Sequence, residues 1–80
     1  MKHLVKVTFD FSNYRYGTYD LAVPNNVPLK TLIPLIVDSL DIDIHHLKHQ
    51  IKVTTKHQLL VDNDRLIDFQ IADGDILKVL

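Results

Sequence analysis

The sequence predicts an α+β fold, a mixed five-stranded sheet with one main helix packed on one face, in the order β-β-α-β-β-β. Three observations carry this. Apolar and polar residues alternate over most of residues 4–24. One stripe of helical spacing follows over residues 28–40, and three short apolar runs between polar turns fill the remainder. Alternation marks a half-buried strand, and recurrence at i, i+3, i+4 and i+7 marks an amphipathic helix.

The first strand runs from Leu4 to Phe11, with Val5, Val7, Phe9 and Phe11 on one side and Lys6, Thr8 and Asp10 on the other. Ser12 to Gly17 supplies turn chemistry, Gly17 being able to take a positive φ. Alternation resumes through Tyr19, Leu21 and Val23, and Pro24 ends the strand because it cannot donate to a ladder.

Leu29, Leu32, Ile33, Ile36, Val37 and Leu40 then form one helical stripe. Pro28 suits the first helical position, where a missing N–H costs nothing. Pro34 is awkward, since a proline inside a helix costs about 3 kcal/mol. With Thr31 as N-cap it would fall harmlessly in the first turn. Because the stripe begins at Leu29, the preferred reading is a helix over residues 28–40, tight or kinked near residues 30–34.

Asp41 to Gln50 reads as polar loop with at most one turn of helix. Ile51–Thr54 and Gln58–Val61 are short strands about a turn at Lys56-His57, and Asp62-Asn63-Asp64 is a second turn. Leu66–Phe69 forms one helical turn, and Asp73-Gly74 reverses the chain into a last strand, Ile76–Leu80. The helix has only the sheet on which to bury its stripe. The last strand has no hairpin partner, so it is expected to insert beside the first, parallel to it. That is the β-grasp arrangement.

Composition mostly excludes. Eighty residues make one domain, spanning 1–80. With no cysteine there is no disulfide, thiol nucleophile or cysteine-ligated zinc. A net charge of −1 is not that of a nucleic-acid binder, although five histidines make it sensitive to pH. No apolar run approaches the roughly 18 residues of a membrane span. Lys6 and Asp10 interrupt the stretch a secretory signal would need. A cytoplasmic location is expected.

Two sets of residues carry a family resemblance. The stretch from Leu66 to Leu80, with Asp68-Phe69, Ile71 and the turn at Asp73-Gly74, resembles the end of the ubiquitin fold. Val5 to Phe11, Tyr16 to Pro24 and Asp62 to Asp68 resemble the YukD/EsaB family, closest to its EsaB members. These are small ubiquitin-like proteins encoded with bacterial type VII (WXG100) secretion systems. The resemblance implies a non-enzymatic cytoplasmic accessory or regulatory component. It would act by protein–protein interaction with the secretion machinery or with a regulator. Pro34 and the histidine-rich segment from Asp41 to His49 depart from the pattern. So does the absence of the terminal glycine pair of ubiquitin and the sulfur carriers, which argues against conjugation or sulfur transfer.

Candidate sites are few. His45, His46 and His49 have spacings that could place two imidazoles on one helical face, but no His-Glu-x-x-His motif accompanies them. Exposed histidines with no specific role are the simpler reading, and neither metal nor cofactor is expected. Asp41-x-Asp43 and Asp62-x-Asp64 begin like calcium loops, yet a chain without glutamate lacks the terminal bidentate ligand. No motif in the sequence arranges Asp38, Asp41, Asp43 or Asp68 for acid–base work. Tyr14 and Tyr16 are placed at the hairpin tip, where they could be exposed, and Tyr19 in the core or at its edge.

Strand parity assigns Lys6 and Thr8, Lys52 and Thr54, and Lys78 and Leu80 to the sheet face turned away from the helix. Three lysines on three adjacent strands are expected to line up there. A solvated sheet face is the plain reading, and a docking surface for an acidic partner the sharper one. The alternative function is binding of RNA, DNA or another anionic partner through that lysine stripe. The edge of the first hairpin could also pair two copies of the chain.

Overall fold

The computed structural model describes residues 3–44 and 46–80. The strands are β1 (Leu4–Asp10), β2 (Thr18–Pro24), β3 (Ile51–Val53), β4 (Gln58–Leu60) and β5 (Ile76–Val79), and α1 is Leu29–Ser39. Two 3₁₀ turns lie at Ser12–Tyr14 and Leu66–Phe69. The sheet order is β2-β1-β5-β3-β4. β1 and β5 are parallel, while β1–β2, β3–β4 and β3–β5 are antiparallel. The last strand therefore inserts beside the first, as the β-grasp arrangement requires.

Alternation decides which face is buried. Val5, Val7 and Phe9 from β1 and Leu77 and Val79 from β5 meet Leu29, Leu32, Ile33 and Ile36 from α1 in one core. Phe11 lies just past β1 and is fully buried; its ring is 6.3 Å from Phe9 and meets Tyr19 edge-on at 6.0 Å. Val37 and Leu40 complete the helical stripe half-buried at its far end.

The start of α1 is held from a distance. A helix leaves its first N–H groups without intrahelical partners. Here Leu29 N–H donates to the Asp64 carbonyl and Lys30 N–H to the Asp62 carbonyl, both at 3.0 Å. Pro28 is the N-cap, and Thr31 N–H closes a tight i→i+3 bond onto its carbonyl. Thr31 is thus not the cap, and Pro34 stands inside the helix, on its exposed side. Its missing N–H removes the i+4 donor of the Lys30 carbonyl.

The hairpin tip differs from expectation in two respects. Arg15, not Gly17, takes the left-handed conformation there, at φ 65°. Tyr14 and Tyr16 are half-buried because both reach the segment after the helix. Tyr14 Oη donates to the Leu80 carbonyl at 2.6 Å and accepts from Lys48 N–H at 3.4 Å. Tyr16 Oη donates to the Asp43 carbonyl at 3.3 Å. No described helix is long and apolar enough to cross a membrane.

Candidate interaction surface

The sheet face away from α1 is open, and the strand registers decide what sits beside what. Lys78 faces Asp10 on one side and Lys52 on the other, and Lys52 in turn faces Leu59. Two lysines are thus direct cross-strand neighbours. Neither forms an ion pair with a described carboxylate. Leu59 beside them is 56% exposed, and Ile76, one row along β5 and opposite Thr8, is 38% exposed.

Lys6 does not join that row. It faces Ala22, four residues along β1 from Asp10, which at about 3.3 Å per residue is roughly 13 Å away. The reason lies in how β5 enters the sheet. Gly74 N–H donates to the Lys6 carbonyl at 2.9 Å and Thr8 N–H to the Asp75 carbonyl at 3.0 Å. These bonds place Ile76 opposite Thr8, so Lys78 arrives opposite Asp10. The expected line of three lysines is therefore a pair and an outlier.

The other face residues are tied locally. Thr8 Oγ1 donates to Asp20 Oδ1 at 2.6 Å, and Thr54 Oγ1 to the Ile76 carbonyl at 3.3 Å. Leu80 is half-buried, its N–H donating to the Gln50 carbonyl at 3.0 Å. A concavity of about 510 Å³ opens where Lys6 and Thr8 meet Asp20, Ala22 and the Asp73-Gly74 turn. Its rim is mixed in charge.

On the inner side sits a polar group that strand parity does not reveal. Asp75 is buried, with Oδ2 accepting from Lys56 Nζ at 2.7 Å and from Ala72 N–H at 2.9 Å. Its Oδ1 accepts from Thr55 Oγ1 at 2.8 Å. Burial alone would raise the carboxyl's pKa, but the Ala72 N–H, Lys56 and Thr55 outweigh it and hold it below the ordinary carboxylate value. These contacts fasten the β3–β4 turn to the start of β5.

The histidines form no centre that the structure describes. His46 is exposed at φ 59°, so the segment is not helical there, and His49 Nδ1 lies 3.7 Å from Asp62 Oδ2. His45 lies outside the described residues. Among the described residues no three histidine or acidic side chains converge as a metal site would need. Asp68 is taken by a two-pronged pairing with Arg65, at 3.0 Å on each oxygen.

Comparison with known proteins adds what surface geometry does not carry. Residues 4–79 match the family described as "WXG100 protein secretion system (Wss), protein YukD". The chain belongs to the YukD family. Its relatives in Staphylococcus aureus strains Newman, COL and N315 are each called type VII secretion system accessory factor EsaB. Each is 70% identical over 80 residues, covering 100% of both chains. A solved structure described as "Molecular Mimicry of SUMO promotes DNA repair" superposes with TM-score 0.73, covering 100% of this chain and 94% of the other. At 20% identity that likeness shows the fold alone. The YukD-family chain is thus ubiquitin-like in architecture, with Lys52 and Lys78 side by side at the centre of its open face.

Proposed function

We propose that this YukD-family chain is a non-enzymatic, cytoplasmic accessory component of a type VII secretion system, acting by binding protein. The carrying observation is its full-length 70% identity to factors named for that accessory role. The binding surface proposed is the open face around Lys52 and Lys78. Like charges directly opposite each other on a sheet are destabilising. A carboxylate from a partner would relieve the Lys52–Lys78 pair, and Leu59 and Ile76 offer apolar contact alongside it. An anionic polymer suits the face less well, because Asp10 and Asp20 stand among its basic residues.

The test is complementation of a chromosomal deletion, read as export of the system's WXG100 proteins and as cross-linking to its membrane components. Reversing both lysines, Lys52→Glu with Lys78→Glu, is expected to abolish cross-linking and complementation while circular dichroism stays native. Lys6→Glu, in its separate row, is the control and should complement. Full complementation by the double variant would overturn the surface assignment. Normal export in the deletion strain would overturn the role itself. A steep loss of binding with salt to an RNA probe would favour the nucleic-acid alternative.

A further inference from the structure

We infer that the outer edge of β2 accepts an extended segment of a partner protein as an added strand, with a basic side chain of that segment lying over Asp20. This edge lies two strands from Lys78 and three from Lys52, and the inference does not depend on the role in secretion. The inference starts from the hydrogen-bond phase of the first hairpin. Asn25 N–H donates to the His3 carbonyl and Phe11 N–H to the Gly17 carbonyl. With the register between them fixed, Tyr19, Leu21 and Val23 turn their backbone groups towards β1. Thr18, Asp20 and Ala22 turn theirs outward. β2 is the terminal strand of the sheet, all three residues are exposed, and among the described residues no backbone bond is made from that edge.

Natural edges are usually blunted by proline, a bulge, a covering loop or a long charged side chain. Little of this protects β2. Pro24 removes a donor only at the far end. The one charge on the edge, Asp20, is drawn back over β1 by the Thr8 hydroxyl. Its carboxylate therefore sits beside the 510 Å³ concavity, whose rim also holds Ala22 and Asp73. A short, anchored acid leaves the N–H and C=O groups uncovered while marking the neighbouring position with negative charge.

That charge also chooses the occupant. A second copy paired antiparallel about the middle of the open edge would set Asp20 against Asp20, which is unfavourable. A different chain with lysine or arginine at that position would instead gain a cross-strand ion pair. Main-chain bonds would give affinity and the Asp20 pairing register, as in strand addition generally.

The experiment selects a random linear-peptide library on the full-length chain, then measures a synthesised winner by amide exchange and titration. Enriched peptides should alternate β-branched residues with a lysine or arginine, and binding should slow exchange at Thr18, Asp20 and Ala22. Ala22→Pro removes an outward N–H without touching the β1 ladder and should abolish binding. Asp20→Lys should weaken it about three- to fivefold, the contribution of one cross-strand ion pair. A peptide with glutamate in place of its basic residue should restore binding to that variant. The inference is overturned if selected peptides bind both variants as well as the parent chain, or if protection falls on other amides. It is equally overturned if sedimentation shows a dimer whose own pairing protects those three amides. Were Ala22→Pro to lose the native amide spectrum, the charge exchange at Asp20 alone would decide.

Discussion

Lys56 and Asp75, nineteen residues apart, are joined by a 2.7 Å ion pair that fastens the β3–β4 turn to the entry of β5. The same ammonium reaches the Gln70 carbonyl at 2.5 Å, so one side chain holds both flanks of the Asp73-Gly74 reversal. Asp75→Asn is expected to cost about 2 kcal/mol at neutral pH, in the range for a buried hydrogen bond to a charged group. The sign with pH follows from the depressed folded pKa. Above the unfolded value of about 3.9 the contribution is present in full. It is lost as pH falls through the lower folded value. Urea midpoints of parent and variant should therefore differ at pH 7 and converge in strong acid.

Tyr14→Phe deletes the hydroxyl that donates to the Leu80 carbonyl and accepts from Lys48 N–H. The expected loss is about 1 kcal/mol. Hydrogen exchange should quicken at Lys48 by more than this loss of global stability, while Val7 and Leu77 change by no more than that loss. An equal loss of protection throughout the sheet would contradict this local account.

Pro34→Ala should stabilise. It restores an N–H for the Lys30 carbonyl at an exposed position and relieves the clash within α1. The greater freedom of the unfolded chain offsets part of this, by about 0.4–1 kcal/mol. A net gain of about 1–2 kcal/mol should raise Tm by about 4–8 °C per kcal/mol, measured by calorimetry.

Lys52→Glu separates stability from binding. It turns the repulsive pair with Lys78 into an attractive one and should add about 0.2–1 kcal/mol, most visibly at low salt. The same change removes half of the proposed docking charge. A variant that melts higher and cross-links less is the expected outcome.

Much of the fold was legible in local pattern. The alternation of Val5, Val7 and Phe9 and the stripe of Leu29, Leu32, Ile33 and Ile36 identify buried residues, because burial in a strand or helix repeats with its geometry. Residues whose partners lie far along the chain were less legible. Tyr14 and Tyr16 read as tip residues until their hydroxyls are seen on Leu80 and Asp43. Asp75 gives no local signal, since Thr55 and Lys56 reach it from another hairpin. The lysine row failed for a related reason. Parity assigns a face, but register along it depends on where Gly74 and Asp75 bond to β1.

The place of β5 bears on when the molecule can become itself. It is the latest strand in sequence order and lies between β1 and β3, which share no direct pairing. On the ribosome, a nascent chain that has emerged only as far as Asp75 can hold two ribbons and a helix, but no sheet. The helix must likewise wait for Asp62 and Asp64 to emerge before its first turn is capped. The sheet therefore cannot be joined until β5 is available, and until then the edges of β1 and β3 that it covers have no strand beside them.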